Sequence, residues 1–391
     1  SGLGAVSVIV NGPSKLTGFG TVQTNLSGTG TVLASGGTLD LQATVSSGPT
    51  LQIDSTVAST LRIDGTATAA TAIALTSANQ TLEVGGNTIF TTFFPATLTI
   101  NAAETATGGT IRLSGGTLID AAGVTLTSPA ILAGFGTVSA STTLSGTGTV
   151  RASGGTLDLQ GSVNSGLALQ IDSTTATTLK IDGNATAASA IAISSANQTL
   201  EIGAAGNLTI GAAESITNGK IQLDGGTLTD ASGLTIGAGA SLTGSGKVAA
   251  NIAASPGTIA ASGGTLELSG TVTNASLLRI GSGASDRLKL DGASSATSAS
   301  FLGSTGTLEL NTGATLTLSN ALAVGANTVL LDGAGSTLTD AAGLTLAGGI
   351  ISGEGKVAAS ITASAGTIVA SGGLPSSTLE VTGALTNTGT L

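Results

Sequence analysis

From Val6 onward the chain alternates apolar and polar residues in runs of three to six, as in Thr156-Leu-Asp-Leu-Gln, Thr178-Leu-Lys-Ile and Thr199-Leu-Glu-Ile. A period of two is the pattern of a strand with one face in a core. The runs are separated by Gly, Asn, Asp and Ser, the residues that turns demand. No period of 3.6 persists for three turns. The Ala-rich passages 67–74 and 185–192 occupy one slot of a repeat and lead into Ile-Ala-Leu and Ile-Ala-Ile, so they too are read as strand. The prediction is an all-β chain.

The alternation carries two longer periods. The cassette Ala-Ser-Gly-Gly-Thr-Leu-(Asp/Glu)-Leu begins at Ala34, Ala152 and Ala261, and in degraded form at Ala370, at spacings of 118, 109 and 109 residues. Within each long copy, single charges recur between two apolar residues about 22 residues apart. They are Asp40, Arg62 and Glu83, then Asp158, Lys180 and Glu201, then Glu267, Lys289 and Glu309. A parallel β-solenoid with about 22 residues per coil and a rise of about 4.8 Å accounts for both periods, with five coils in each ~110-residue copy and two or three strands per coil. It stacks these charges as an acid–base–acid ladder on an exposed face. A right-handed winding is expected, as for parallel crossovers generally.

The expected organisation is the end of a preceding coil at 1–17, long repeats at 18–133, 134–243 and 244–352, and the start of a fourth at 353–391. Both ends fall inside the repeat and the chain does not begin with Met, so it is expected to be a piece of something longer. The first repeat carries an eight-residue insertion near 86–97 holding Phe90, Phe93 and Phe94, half of the six Phe residues in the chain. Aromatics concentrate at interface hot spots, which makes these three candidates for contact with another subunit.

Composition narrows the chemistry. The chain lacks Cys, His, Met, Trp and Tyr and has a net charge of −10, with 11 Lys and Arg scattered singly. That removes imidazole and thiolate catalysis and the usual zinc, copper and iron sites, and disfavours nucleic acid and anionic membrane as partners. No stretch reaches the ~20 apolar residues of a membrane helix. Acidic residues occur about once per coil, too sparsely for the six to eight oxygens of calcium, so no cofactor is expected and a structural Ca²⁺ is a minor alternative. The ladder exchanges Arg for Lys and Asp for Glu between copies, which charge complementarity tolerates and catalysis does not, so no enzyme is expected.

Gly-X-Gly at Gly18, Gly134, Gly244 and Gly353 reads as a turn, without the helix a phosphate loop needs. Asp-Gly at Asp64, Asp182 and Asp291 reads as a bend with Gly at positive φ and Asp capping it. Asp120, Asp230 and Asp340, in a shared Thr-Leu-X-Asp-Ala-X-Gly block, lie about five coils apart and are read as holding turn amides.

The Gly-Gly-Thr-Leu-X-Leu cassettes with their Gly, Thr and Asn turns resemble the β-solenoid regions of bacterial autotransporters and filamentous-haemagglutinin-like adhesins. The resemblance covers essentially the whole chain. It implies an extracellular, cell-surface structural rod that forms or decorates a filament, coat or adhesin, such as a biofilm matrix component. The implied partners are copies of itself and surface polysaccharide. Two other readings are a polysaccharide-binding or polysaccharide-cleaving β-helix and a calcium-dependent surface-layer subunit.

Overall fold

A computed structural model describes residues 7–89, 92–372 and 377–390. Among them there is no helix, and apart from one hairpin the described strands pair in parallel. The chain divides into two units, Ser1–Ile191 and Ala192–Leu391, each a stack of parallel coils. It is a parallel β-solenoid.

The first unit shows how the coil is built. Leu39, Leu61, Leu82, Ile111, Leu132 and Val150 lie one above another on one face, each in register with the next. All are buried. A second face runs from Leu26 through Val45 and Ala67 to Leu98, Leu118 and Val138. A third stacks Lys15–Gly18 on Thr31–Ala34 and Thr50–Ile53, and further along holds Ala106, Leu126 and Gly146. Three faces close the coil. Since alternate residues point inward, each face contributes a column of Leu, Ile, Val or Ala, and burying one such large side chain contributes about 1.5–3 kcal/mol. Like stacks on like, so a narrow interior is filled without Trp or Tyr.

The cassette is the corner between two faces. In the strand Thr31–Leu41, Thr31–Ala34 pairs on one face and Thr38–Leu41 on the next. The bend falls at Gly36, whose φ of 74° recurs as 75° at Gly154 and 77° at Gly263; side chains rarely adopt this region. The following glycine is closely approached by a side chain of the neighbouring coil. A Cβ on Gly37 would lie 3.1 Å from the Phe19 side chain, and one on Gly155 would lie 3.0 Å from that of Phe135. The central residue of Gly-X-Gly therefore rests on the glycine pair of the next coil.

Because the cassette spans a corner, a long copy is five coils and one further face. Five registered steps lead from Leu39 to Val150, and the equivalent Leu157 lies beyond the corner of the same strand, Thr149–Leu159, paired with Gly136 on the next face. Equivalent residues of the first and second copies thus sit on different sides of the coil.

The step from Leu82 to Ile111 is the long one. It contains an antiparallel hairpin, Gly86–Ile89 with Thr92–Pro95, closed at its base by Ala96 N–H donating to Gly85 O at 3.1 Å. Phe90 lies outside the described residues. Phe93 and Phe94 pair through their backbones with Thr88 and Asn87, and their side chains lie outside the description.

The Asp-Gly bends differ from expectation. Gly65, Gly183 and Gly292 are not at positive φ; glycine is needed there because a Cβ would approach the carbonyl oxygens of Ala43, Gly161 and Gly270 to 2.4, 2.2 and 2.5 Å. The bend is held by the coil below, with Asp64 N–H and Gly65 N–H both donating to Leu41 O at 3.0 and 3.2 Å. That leaves the Asp side chain for another partner.

Candidate functional site

The register pairs Asp40 with Arg62 and Arg62 with Glu83. Arg62 nevertheless donates through Nε to Asp64 Oδ1, in the bend just after its own strand, at 2.9 Å and reaches Glu83 only at 4.0 Å. Asp40 accepts from Gln42 Nε2 at 2.7 Å, and its other oxygen is buried without a partner. Asp158 repeats this arrangement with Gln160 at 2.8 Å, and Lys180, in register with it, pairs with Asp182 at 2.9 Å. Burial holds the Asp40 and Asp158 carboxyls above their usual range.

In the second unit Glu201 is in register with Gln222, and Glu267, Lys289 and Glu309 stack in order. Glu267 lies 3.6 Å from Lys289 but is bound more closely by Lys247 at 2.7 Å, a hydrogen bond that lowers its pKa. Glu309 is taken by Arg287. The bases thus reach along their own coil as well as across coils. Lys247 is in register with Glu267 and is a further rung of the same column, while Arg287 stands in the next outward column; neither was among the residues that the sequence singled out.

A second set of polar side chains is buried and binds backbone. Asp120 Oδ1 accepts from Ala122 and Gly123 N–H at 3.0 and 2.9 Å, and its Oδ2 accepts from Glu104 N–H at 3.2 Å. Asp230 and Asp340 do the same for the turns after them and for Glu214 and Leu322 N–H. The reading of these aspartates as amide holders is met, with the addition of one amide from the strand preceding the block. Gln80 accepts from Thr76 and Ser77 N–H and donates to Ile53 and Ala74 O at 2.6 and 3.0 Å; Gln198 and Asn327 bridge backbone in the same manner. The repeated Ser-Ala-Asn-Gln at 77–80 and 195–198 was the available signal. The corner amides of Gly36, Gly154 and Gly263 are received by Ser59, Thr177 and Asp286.

Glu104 stands apart. It is fully buried, its Oε2 accepts from Ile73 N–H at 2.7 Å, and its Oε1 has no partner. Burial, with Asp120 close by, pushes its pKa up to about 7.

Two clefts open beside Gly-X-Gly corners. The larger, about 500 Å³, contains Lys356 and Glu380, which pair with each other at 3.6 Å. The other, about 280 Å³, is bordered by Arg112, Ser114, Ala133, Phe135, Arg151 and Ser153. Arg112, Ala133 and Arg151 are consecutive in one column, and among the described residues neither guanidinium makes an ion pair.

Among the described residues no three acidic side chains are grouped to hold a metal ion, and no helix is long and apolar enough to cross a membrane. No protein family, characterised protein or solved structure matches the chain.

Proposed function

We propose that this chain is a mechanical element, a stretch of an extracellular rod that forms or decorates a bacterial surface filament, coat or adhesin, as its resemblance to autotransporter and haemagglutinin-like solenoids implies. One observation carries the reading. The buried polar side chains that recur from copy to copy end on backbone amides and carbonyls, and their identity is not fixed: Ser59, Thr177 and Asp286 receive the same corner amide in three copies, and the place of Gln80 and Gln198 is taken in the next copy by Gly306. Chemistry would fix the residue type, whereas bracing a coil requires only a hydrogen-bonding partner of suitable reach. A coil whose backbone groups are paired above, below and at the corners resists local opening, which suits a rod under load or protease attack.

Its partners on this reading are further copies of the same coil, end to end or through the hairpin at Gly86–Pro95. Negative-stain microscopy of native material tests it. Rods or fibres of uniform narrow width are expected, and compact globular particles would overturn the proposal.

A further inference from the structure

We infer that the cleft at Arg112, Ala133 and Arg151 is a binding site for an acidic polysaccharide bearing one carboxylate per disaccharide. The other copies supply the control. At the place of Arg112, which belongs to the first copy, the second copy has Gln222 and the third Leu330. At the place of Arg151 the first, third and fourth copies have Leu33, Ala260 and Val369. The coil is built at those places without arginine, so the fold does not require the two guanidiniums.

Their placement favours two separated anions. Arg112 and Arg151 are two coils apart in register, about 9.5 Å at the strand spacing, with only the methyl of Ala133 between them. Neither of the nearest acids lies within ion-pair distance of these arginines among the described residues: Glu83, in register with Arg112, accepts from Ser114 at 2.9 Å, and Asp172, close to Arg151, accepts from Thr174 at 2.8 and 2.6 Å. Each guanidinium can therefore take a carboxylate in bidentate fashion. Phe135, 37% exposed, borders the cleft and offers an apolar ring to a sugar's C–H face.

A peptide fits less well. Extended peptides bind by adding to a free strand edge, and the strand at Ile131–Val138 is already paired on both sides. Nucleic acid presents a dense row of phosphates, of which two guanidiniums set apart by Ala133 would neutralise few. The inference goes beyond the mechanical reading and does not rest on it, since a rod that never assembled would still carry the cleft.

The test is calorimetry of the full chain at low salt with a polymer of alternating glucuronate and N-acetylglucosamine, and with neutral dextran. Binding of the first, weakened by added salt, and none of the second are expected. Arg112→Gln with Arg151→Leu, which installs residues that other copies carry at these places, should lose at least tenfold in affinity with an unchanged circular dichroism spectrum. Ala133→Glu should do the same while retaining both arginines. Undiminished binding by either variant, or no binding by the unmodified chain, would overturn the site. Equal affinity for a galacturonate polymer, acidic on every sugar, would overturn the spacing argument.

Discussion

The corner at Gly134–Gly136 and the corner at Gly244–Gly246 have nearly the same backbone and very different surroundings. Their glycines have φ of 113° and 136° in one and 110° and 134° in the other, and both interrupt the register at the same point. Around the first stand Arg112, Phe135 and Arg151; the second has Gln222, Ser245 and Ala260 in their places. The inner residues and the glycines are held constant because the coil fails without them, while the outer residues answer to whatever the surface meets. A repeat protein is in this sense its own mutational series.

The largest effect expected from this comparison is at the constant part. A Cβ on Gly134 would lie 1.9 Å from Leu113 O, and one on Gly244 would lie 1.8 Å from Leu223 O. Neither neighbour can give, because both are backbone in a paired strand. Gly134→Ala and Gly244→Ala should each destabilise by at least about 3 kcal/mol, combining φ strain with the clash, and by similar amounts. Urea denaturation would show it, and a corner that tolerates alanine would contradict the claim that the two are equivalent.

A smaller effect separates two inner positions that are not constant. Glu104 and Leu322 each donate a backbone N–H to the aspartate of the following block, but only the first buries a carboxyl there. Its pKa is raised in the fold, so the native state binds the proton more tightly than the unfolded chain. Below about pH 4.5 both states are protonated and nothing is lost. Between there and about pH 7 the unfolded chain ionises while the folded one does not, and stability falls with rising pH; above that the loss is complete, about 3 kcal/mol from a shift from 4.5 to about 7. Glu104→Gln should remove this slope. The difference between the two proteins cancels Asp40, Asp120 and Asp158, whose pKa values burial also raises. Parallel stability profiles from pH 4 to pH 8 would refute the assignment.

These comparisons also mark where the sequence was legible. Alternation and the 22-residue recurrence of charge are both projections of strands stacked in register, so coil and strand could be read directly, as could the interruption between Gly85 and Thr97. The extra third of a coil in each copy could not, because it depends on the number of faces, and a corner such as Ser35-Gly36-Gly37 looks like any other glycine turn until its pairing partners are known. The brackets were hidden for a related reason. Gln80 and Glu104 are polar letters in a polar-rich chain, and nothing local tells a side chain bonded to Ile53 O or Ile73 N–H from one in solvent. The ladder lay between these cases: the period located its residues, but their actual partners depended on Asp64 and Asp182 being freed from their turns.

That last point sets the smallest expected effect and its direction. Lys289 and Arg62 occupy the same rung of their ladders, and exposed ion pairs contribute only about 0–1 kcal/mol. Glu267 keeps Lys247 at 2.7 Å when Lys289 is removed, so Lys289→Met should fall within that range and shrink further in salt. Asp64 has no such reserve. Its side chain is 5% exposed and among the described residues its ion pair is with Arg62 alone, so Arg62→Met leaves a buried carboxylate without its cation and should cost roughly 1–3 kcal/mol, mostly as the penalty of the orphaned group. Adding Asp64→Asn to Arg62→Met should then recover part of the loss, because an amide is less costly to bury than a charge. Equal costs for the two single variants, or no recovery in the double, would mean that the ladder's charges act as a smeared field along the coil and that the close contact with Asp64 contributes nothing of its own.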